Sequence, residues 1–370
     1  MKKRISTGAL ILLCLLIILV SKGIRYTIMK KNLVDEGVGW SFVKMMNDGN
    51  KPRFGLTIKG SKNEDSSDAE GNAVAILKTI NFLKLTSYQG LEIYITVIWN
   101  IITFYIMAKH KHSYSMIESI FILMSIAVLN IFNFCLAKEP IQMLYFFIMY
   151  AVIKSKMTSK QKFIGCFLVF MLCFMTFRNY YILMAVFMIF IYYIINMFSK
   201  KMKKTSVIII ILSIYVCIFA LMNTTKIVSP KDYAELIRVR TRTSSANSDI
   251  RVLFNSSNLL IYSLDYILVL IRILIPAELL TLGPKYFIYA VYQIMVTILL
   301  INNLKNINTI NANSKLALYI VIAFTMGSAL FEPDFGSWVR HEAVIFPIYL
   351  FMLDAYKNKK EGEKSVEIYN

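Results

Sequence analysis

Apolar runs separated by short polar loops occupy most of the chain. A helix rising about 1.5 Å per residue needs about 20 apolar residues to cross about 30 Å of hydrocarbon. The runs lack the period-two alternation that the strands of a membrane β-barrel require. The pattern therefore predicts an all-α fold, a polytopic integral membrane helical bundle. The ten predicted transmembrane helices are residues 5–20, 88–108, 117–137, 141–153, 163–177, 180–198, 207–222, 286–304, 316–330 and 343–353.

The positive charges between the runs indicate which loops share a side of the membrane. Loops rich in Lys and Arg are retained on the cytoplasmic side. The loops at 109–112, 154–162 and 200–204 are rich in Lys and contain no acidic residue. Together with the basic N-terminus, these loops predict a multi-pass protein with both termini in the cytoplasm. Larger extracytoplasmic segments are predicted at 21–87 and 223–283.

One apolar run does not fit this alternation. Residues 259–275 contain Asp265 and Arg272 and precede a proline. Counting this run as a crossing would place the Lys-rich C-terminal tail outside. Charged, Pro-broken backbone is tolerated at membrane depth where it is buried in protein or lines a watery cavity. We therefore expect residues 259–283 to form a re-entrant or interfacial segment within a single polytopic domain over residues 1–370.

The composition agrees with a membrane environment and narrows the function. The 370 residues are 57% hydrophobic and 17% charged, which is too apolar for a water-soluble protein. The formal net charge of +19 comes from Lys and Arg clusters in the loops, so nucleic-acid binding is not expected. The five cysteines lie within or beside apolar runs and lack the Cys/His spacing of a metal site. The sequence also contains no Walker loop for nucleotide binding. We expect no metal and no cofactor.

Ionisable residues cluster at the predicted outer ends of four helical hairpins. The first cluster is Lys138 and Glu139 before a proline, and the second is Arg178 in a very tight turn. An interfacial turn with its lysine directed to water would also explain the first. An outward Arg works against the positive-inside bias, which favours a ligand contact. Its planar guanidinium suits phosphate groups.

The third and fourth clusters flank the later spans. Arg238 and Arg240 belong to an alternating arginine run that concentrates positive potential outside, although binding of lipid phosphates would also account for it. The fourth cluster contains Asp334, Arg340 and His341, close to Glu332. Histidine titrates near neutrality, and a carboxylate there could accept a hydroxyl proton. The simpler interpretation is a turn held by an Asp334–Arg340 ion pair.

Together these residues resemble the Wzy-type and EpsG-like polysaccharide polymerases of bacterial surface glycan clusters. The resemblance covers most of the chain from about residue 88 onward. It rests on Lys138 to Pro140, Phe177 to Tyr180, Arg272 to Pro276 with Glu278 before Gly283 to Tyr286, and Asp334 to His341. It implies a glycosyltransferase in the bacterial cytoplasmic membrane. Such an enzyme polymerises undecaprenyl-pyrophosphate-linked oligosaccharide repeats into capsular or exopolysaccharide at the outer face, without a metal or a nucleotide sugar.

The expected roles follow from this chemistry. A pyrophosphate leaving group needs cations, and an acceptor hydroxyl needs a base. The candidate base is Glu139, Asp334 or His341. The resemblance also implies membrane lipids, a flippase and a chain-length regulator as partners. It gives no role to the long first external segment. The candidate pyrophosphate-binding or substrate-binding residues are Lys138, Arg178, Arg238, Arg240, Arg272 and Arg340.

Two other functions fit the same pattern. A GT-C-type glycosyltransferase that uses a lipid-phosphate sugar would place a catalytic acid in the first external segment, where Asp35 and Glu36 lie. A flippase or transporter of lipid-linked oligosaccharide would instead need charged residues along a central cavity. The predicted spans place only Asp265 and Arg272 deep in the membrane, so the sequence favours an enzyme over a transporter.

Overall fold

The structure is a computed structural model, and it describes residues 4–33, 38–47, 67–178, 180–198, 248, 250, 259–332 and 334–354. Two short strands, β1 (Arg4–Ser6) and β2 (Ser113–Ser115), form an antiparallel ribbon. The helices are α1 (Thr7–Leu33), α2 (Val38–Asn47), α3 (Ser67–Ile80), α4 (Tyr88–His110), α5 (Met116–Val128), α6 (Glu139–Lys154), α7 (Ser159–Thr176), α8 (Tyr181–Phe198), α9 (Leu259–Leu274), α10 (Pro284–Lys305), α11 (Ala312–Phe331), α12 (Phe335–Ala343) and α13 (Phe346–Leu353).

Six helical segments within the described residues are long and apolar enough to cross a membrane. The chain is therefore an all-α helical membrane protein, as the hydropathy pattern predicts. Of the other four predicted spans, 207–222 lies outside the described residues, and 141–153, 180–198 and 343–353 correspond to α6, α8 and α13, which are not among the six segments. The total of ten spans stays a prediction. The six segments are Thr7–Thr27, Tyr88–His110, Met116–Asn133, Ser159–Thr176, Tyr286–Lys305 and Ala312–Leu330.

Helix α1 is longer than the apolar run that predicts it. The sequence ends this span before Lys22, but the helix continues to Leu33. Lys22 and Arg25 do not end it, because Glu92 of α4 lies within ion-pair distance of both. The predicted external segment 21–87 consequently begins with the last turns of α1 and also contains α2 and α3.

The chain forms two compact units, Met1–Ile182 with Ala343–Leu350 (unit 1) and Leu183–Glu342 with Phe351–Asn370 (unit 2). In unit 1, α1 packs against α4 and α5, and α6 packs against α7. Gly165 of α7 permits this last approach, because a Cβ there would lie 2.7 Å from Val152 Cγ1. Helix pairs that approach this closely need a small residue at the contact.

Two of the loops predicted to share a side of the membrane, 109–112 and 154–162, lie at one end of unit 1, and the third, 200–204, lies outside the described residues. The Thr7 hydroxyl donates to the Lys111 carbonyl (2.5 Å), and the Lys154 ammonium donates to the His110 carbonyl (3.5 Å). We call this the ribbon end, after the β1–β2 ribbon. The opposite end, called the far end, contains the starts of α4 and α6. There α5 continues into a π-helix (Leu129–Asn133), and α7 ends.

Unit 2 is arranged around α11, which is mostly buried. Helix α9 packs against α10 and α11. It is one continuous helix, followed by a short 3₁₀-helix (Ala277–Leu280) and then by α10. That residues 259–283 form a re-entrant or interfacial segment stays a prediction. The last predicted span, 343–353, corresponds to the short helix α13, which begins at Phe346, and the separate polar helix α12 precedes it.

Candidate functional site

An acid at the end of α11 and a histidine in the last turn of α12 meet in unit 2. His341 Nδ1 lies 2.7 Å from Glu332 Oε1, and the two side chains are 8% and 4% exposed. A buried carboxylate at this distance orients the imidazole ring and favours the tautomer with its proton on Nδ1. Nε2 is then the basic nitrogen. The pair therefore has the arrangement of a proton acceptor held in place by an orienting acid.

Asp334 caps the start of α12. Its Oδ1 accepts from the Ser337 backbone N–H (2.8 Å) and its Oδ2 accepts from the Ser337 hydroxyl (2.8 Å). Such a cap satisfies donors that the first turn of a helix leaves unpaired. The Arg340 guanidinium donates to the same hydroxyl at 3.1 Å, so Ser337 lies between the two groups that the simpler interpretation pairs directly. With both oxygens of Asp334 bonded, His341 fits the role of base better.

A chain of buried side chains leads from Trp338 to a second acid beside His341. Trp338 Nε1–H donates to Gln293 Oε1 (2.9 Å), and Gln293 Nε2 donates to Glu342 Oε1 (3.3 Å). An indole only donates, so the amide presents its oxygen to Trp338 and its NH₂ to Glu342. The sequence gives no reason to single out Gln293, because an isolated Gln in an apolar run has no distinctive spacing.

The second large loop reaches this site at one described residue. The Phe335 backbone N–H donates to the Ser248 carbonyl (3.0 Å), and Ser248 is buried. Arg238 and Arg240 precede Ser248 in the same loop and lie outside the described residues. The contact therefore places Ser248 at the start of α12.

Arg272 of unit 2 already has an acidic partner. Its Nε and Nη2 atoms donate to the two oxygens of Glu278, the second at 2.7 Å. This two-point contact closes the turn after α9. A pyrophosphate at Arg272 would have to replace or share this carboxylate, which is 47% exposed. The predicted role of Arg272 therefore requires exchange of one anion for another.

The three predicted residues of unit 1 all lie at its far end. Lys138 Nζ is 3.9 Å from the Glu70 carboxylate of α3. Glu139 begins α6 and is buried, where a carboxylate interacts favourably with the helix dipole. The Arg178 guanidinium lies over the rings of Phe177 and Tyr180, 5.6 Å and 5.4 Å from their centroids. Contact with two aromatic rings restricts the orientation of the Arg178 side chain.

The sequence analysis missed a buried ion cluster at the far end of unit 1. Arg25 Nε donates to Glu92 Oε1 at 2.6 Å, and the side chains of these residues are only 4% and 1% exposed. Lys22 Nζ lies 3.8 Å from the same oxygen. Ionisable side chains within membrane helices are rare and usually functional or paired. The sequence signal for this cluster is Glu92, an acidic residue inside the apolar run 88–108.

Both cations also bind backbone at the end of α5. Arg25 Nη1 donates to the Ile131 carbonyl (2.9 Å), and Lys22 Nζ donates to the Phe134 carbonyl (2.6 Å). Carbonyls at a helix C-terminus lack partners within the helix and carry partial negative charge. The π-helix at Leu129–Asn133 is therefore held to α1 by charge-assisted hydrogen bonds.

Glu139 belongs to the same neighbourhood. The charges of Arg25, Glu139, Glu92 and Lys22 all act on the Cys135 thiol. The predicted acid Glu139 and the cluster missed by sequence analysis therefore lie near the same thiol at the far end of unit 1. In unit 2 the structure likewise brings Asp334, Arg340 and His341 together along α12.

Among the residues that the structure describes, no group of three or more His, Cys, Asp or Glu side chains is placed to hold a metal ion. Comparison of the chain with protein-family models, curated proteins and solved structures finds no match. A functional interpretation therefore rests on the chemistry of the two sites.

Proposed function

We propose that the chain is a membrane glycosyltransferase that polymerises undecaprenyl-pyrophosphate-linked oligosaccharide repeats at the outer face of the bacterial cytoplasmic membrane. The buried His341–Glu332 contact beside Arg340 carries the proposal, because it combines an oriented base with a cation. The residues that resemble polysaccharide polymerases motivate the choice of substrate. Both termini would then lie in the cytoplasm.

In the proposed reaction a sugar hydroxyl of one lipid-linked chain attacks the anomeric carbon of another. A new glycosidic C–O bond forms, and the bond between the anomeric carbon and the pyrophosphate oxygen breaks. His341 Nε2 takes the hydroxyl proton, and Glu332 stabilises the resulting imidazolium. The pyrophosphate leaves with the bonding electrons, and Arg340 stabilises its negative charge. Arg238, Arg240 and Arg272 are further candidates for this task.

Deletion and complementation in the host would test this function. Loss of the gene should leave single repeats at the cell surface and remove long-chain glycan. Complementation with His341→Gln or Glu332→Gln should fail to restore long chains, because the base is removed or loses its orienting acid. His112→Gln, at an exposed histidine of unit 1, is the matched control and should restore them. Normal chain length with His341→Gln, at wild-type protein abundance, would overturn the assignment.

Transport of lipid-linked oligosaccharide is the second candidate function. The buried Lys22, Arg25 and Glu92 favour it, because they lie in helices long enough to cross a membrane, and a transporter needs charged residues inside its helical bundle. The same deletion strain discriminates the two functions. Loss of a flippase removes all repeats from the surface, whereas loss of a polymerase leaves single repeats there.

The GT-C-type alternative depends on Asp35, which lies outside the described residues. Asp35→Asn should abolish long-chain glycan if that alternative holds and should preserve it if the polymerase proposal is right.

A further inference from the structure

The turn between α3 and α4 is closed by hydrogen bonds and presents two apolar side chains. Asn81 closes it from both directions, since its Nδ2 donates to the Leu85 carbonyl (2.9 Å) and its Oδ1 accepts from the Leu85 backbone N–H (3.0 Å). The Lys84 N–H donates to the Asn81 carbonyl (3.1 Å), and Lys84 has a left-handed backbone with φ of 49°. Non-glycine residues rarely adopt this conformation, so the turn has a defined shape.

Phe82 and Leu83 at the tip are 79% and 67% exposed. Their neighbours on the chain include Lys78 and Lys84. Two large apolar side chains exposed next to each other on a hydrogen-bonded turn indicate an interaction surface. Basic residues beside apolar ones are typical of segments that lie at the surface of a lipid bilayer.

The position of the turn indicates which partner contacts Phe82 and Leu83. Helix α4 begins at Tyr88, a few residues after Leu83, and its 23 residues span about 34 Å. The turn therefore lies at the boundary where a membrane-crossing helix leaves the hydrocarbon. Helix α4 itself carries exposed apolar side chains, at Ile93, Val97 and Ile101. A turn that directly precedes a helix with exposed apolar residues favours lipid as the occupant.

Helix α3 is fixed to unit 1 on the other side. Asn72 Nδ2 donates to the Thr176 carbonyl at the end of α7 (2.6 Å), and Ala73, Val74 and Leu77 are buried. The Tyr94 hydroxyl of α4 donates to the carbonyl of Ile80, the last residue of α3. The buried side of α3 is thus occupied by protein, whereas the following turn has its apolar side chains uncovered.

We propose that the Phe82–Leu83 turn inserts into the membrane leaflet at the far end of unit 1 and that α3 lies along the surface of that leaflet. The partner is the lipid bilayer, with acyl chains around Phe82 and Leu83 and lipid phosphates near the flanking lysines. This insertion holds α3 beside Lys138 at the level of the lipid head groups. The proposal is independent of the reaction proposed above and gives the first predicted external segment a membrane-binding role.

Fluorescence quenching in vesicles tests the insertion. The full chain, with its five cysteines replaced by alanine, would carry Phe82→Cys or Leu83→Cys labelled with the fluorophore NBD. Vesicles of phosphatidylcholine and phosphatidylglycerol would contain nitroxide-labelled lipids. We expect blue-shifted emission, strong quenching by nitroxides in the head group or upper acyl chain, and little quenching by aqueous iodide. Val97→Cys and Lys160→Cys provide lipid and water references within unit 1.

Two outcomes would overturn the proposal. Iodide quenching at position 82 equal to that at position 160 would place the turn in water. Protection from both iodide and lipid nitroxides would show that protein covers it. A retained size-exclusion profile of each labelled protein establishes that it is folded, so a shift of the signal reports on location. A Phe82→Ser/Leu83→Ser variant labelled at Lys84→Cys should lose lipid quenching at that position if the two apolar residues hold the turn in the leaflet.

Discussion

Replacing Arg25 with methionine should destabilise the protein strongly. Glu92 would lose a donor at 2.6 Å while remaining almost completely buried. The Ile131 carbonyl would lose its contact with Arg25 as well. The methionine keeps the packing of the long side chain but provides no positive charge, so the loss reports on the ion pair and its hydrogen bonds.

The structure sets the expected magnitude. Removing one partner of a buried ion pair costs about 3–5 kcal/mol, because an uncompensated charge stays buried. Lys22 remains 3.8 Å from the carboxylate, so we expect about 3 kcal/mol for Arg25→Met. Replacing both partners, Arg25→Met with Glu92→Met, removes the orphaned charge. The double variant should therefore be about 2 kcal/mol more stable than the sum of the two single changes implies.

Reversible unfolding by SDS in mixed micelles, followed by circular dichroism, would measure these differences. Lys160→Met, at an exposed lysine, is the control and should change the free energy of unfolding by less than about 0.5 kcal/mol. The reasoning fails if the two single changes add without coupling, or if Arg25→Met is as stable as the control variant. Normal glycan chains in a strain carrying the stable double variant would show that the cluster is structural rather than functional.

Three further variants test other contacts by the same unfolding assay. Arg272→Ala should cost less than about 1 kcal/mol, because its partner Glu278 is half exposed; a larger loss would contradict the assignment of a surface pair. Gly165→Ala should cost about 1–3 kcal/mol, because the new Cβ would press on Val152, and Val152→Ala should relieve much of this; an unchanged stability would contradict the close approach of α6 and α7. Ser115→Ala removes the capping box of α5 and should cost about 1 kcal/mol; no measurable loss would mean that water replaces the cap.

Hydropathy alone located most of the described helices. The predicted span at 88–108 differs by two residues from α4 (Tyr88–His110), and the predicted span at 180–198 nearly coincides with α8 (Tyr181–Phe198). The reason is that a segment in hydrocarbon must satisfy its own backbone hydrogen bonds, so a run of sufficient apolar length becomes a helix whatever its neighbours are. The placement of the loops at 109–112 and 154–162 at one end of unit 1 follows from the same crossings.

Only the tertiary structure decided which charged residues lie together. The end of α1 depends on Glu92, which is 67 positions away from Arg25 in the chain, and no local pattern shows that pairing. In the sequence, Asp334 and His341 are equivalent candidates for the base. The hydrogen bonds that Asp334 accepts from Ser337 favour His341. Apolar length is a property of one segment, whereas an ion pair or a cap depends on where a second group lies. The sequence by itself therefore determined a helical membrane protein, and long-range packing determined which side chains form its candidate sites.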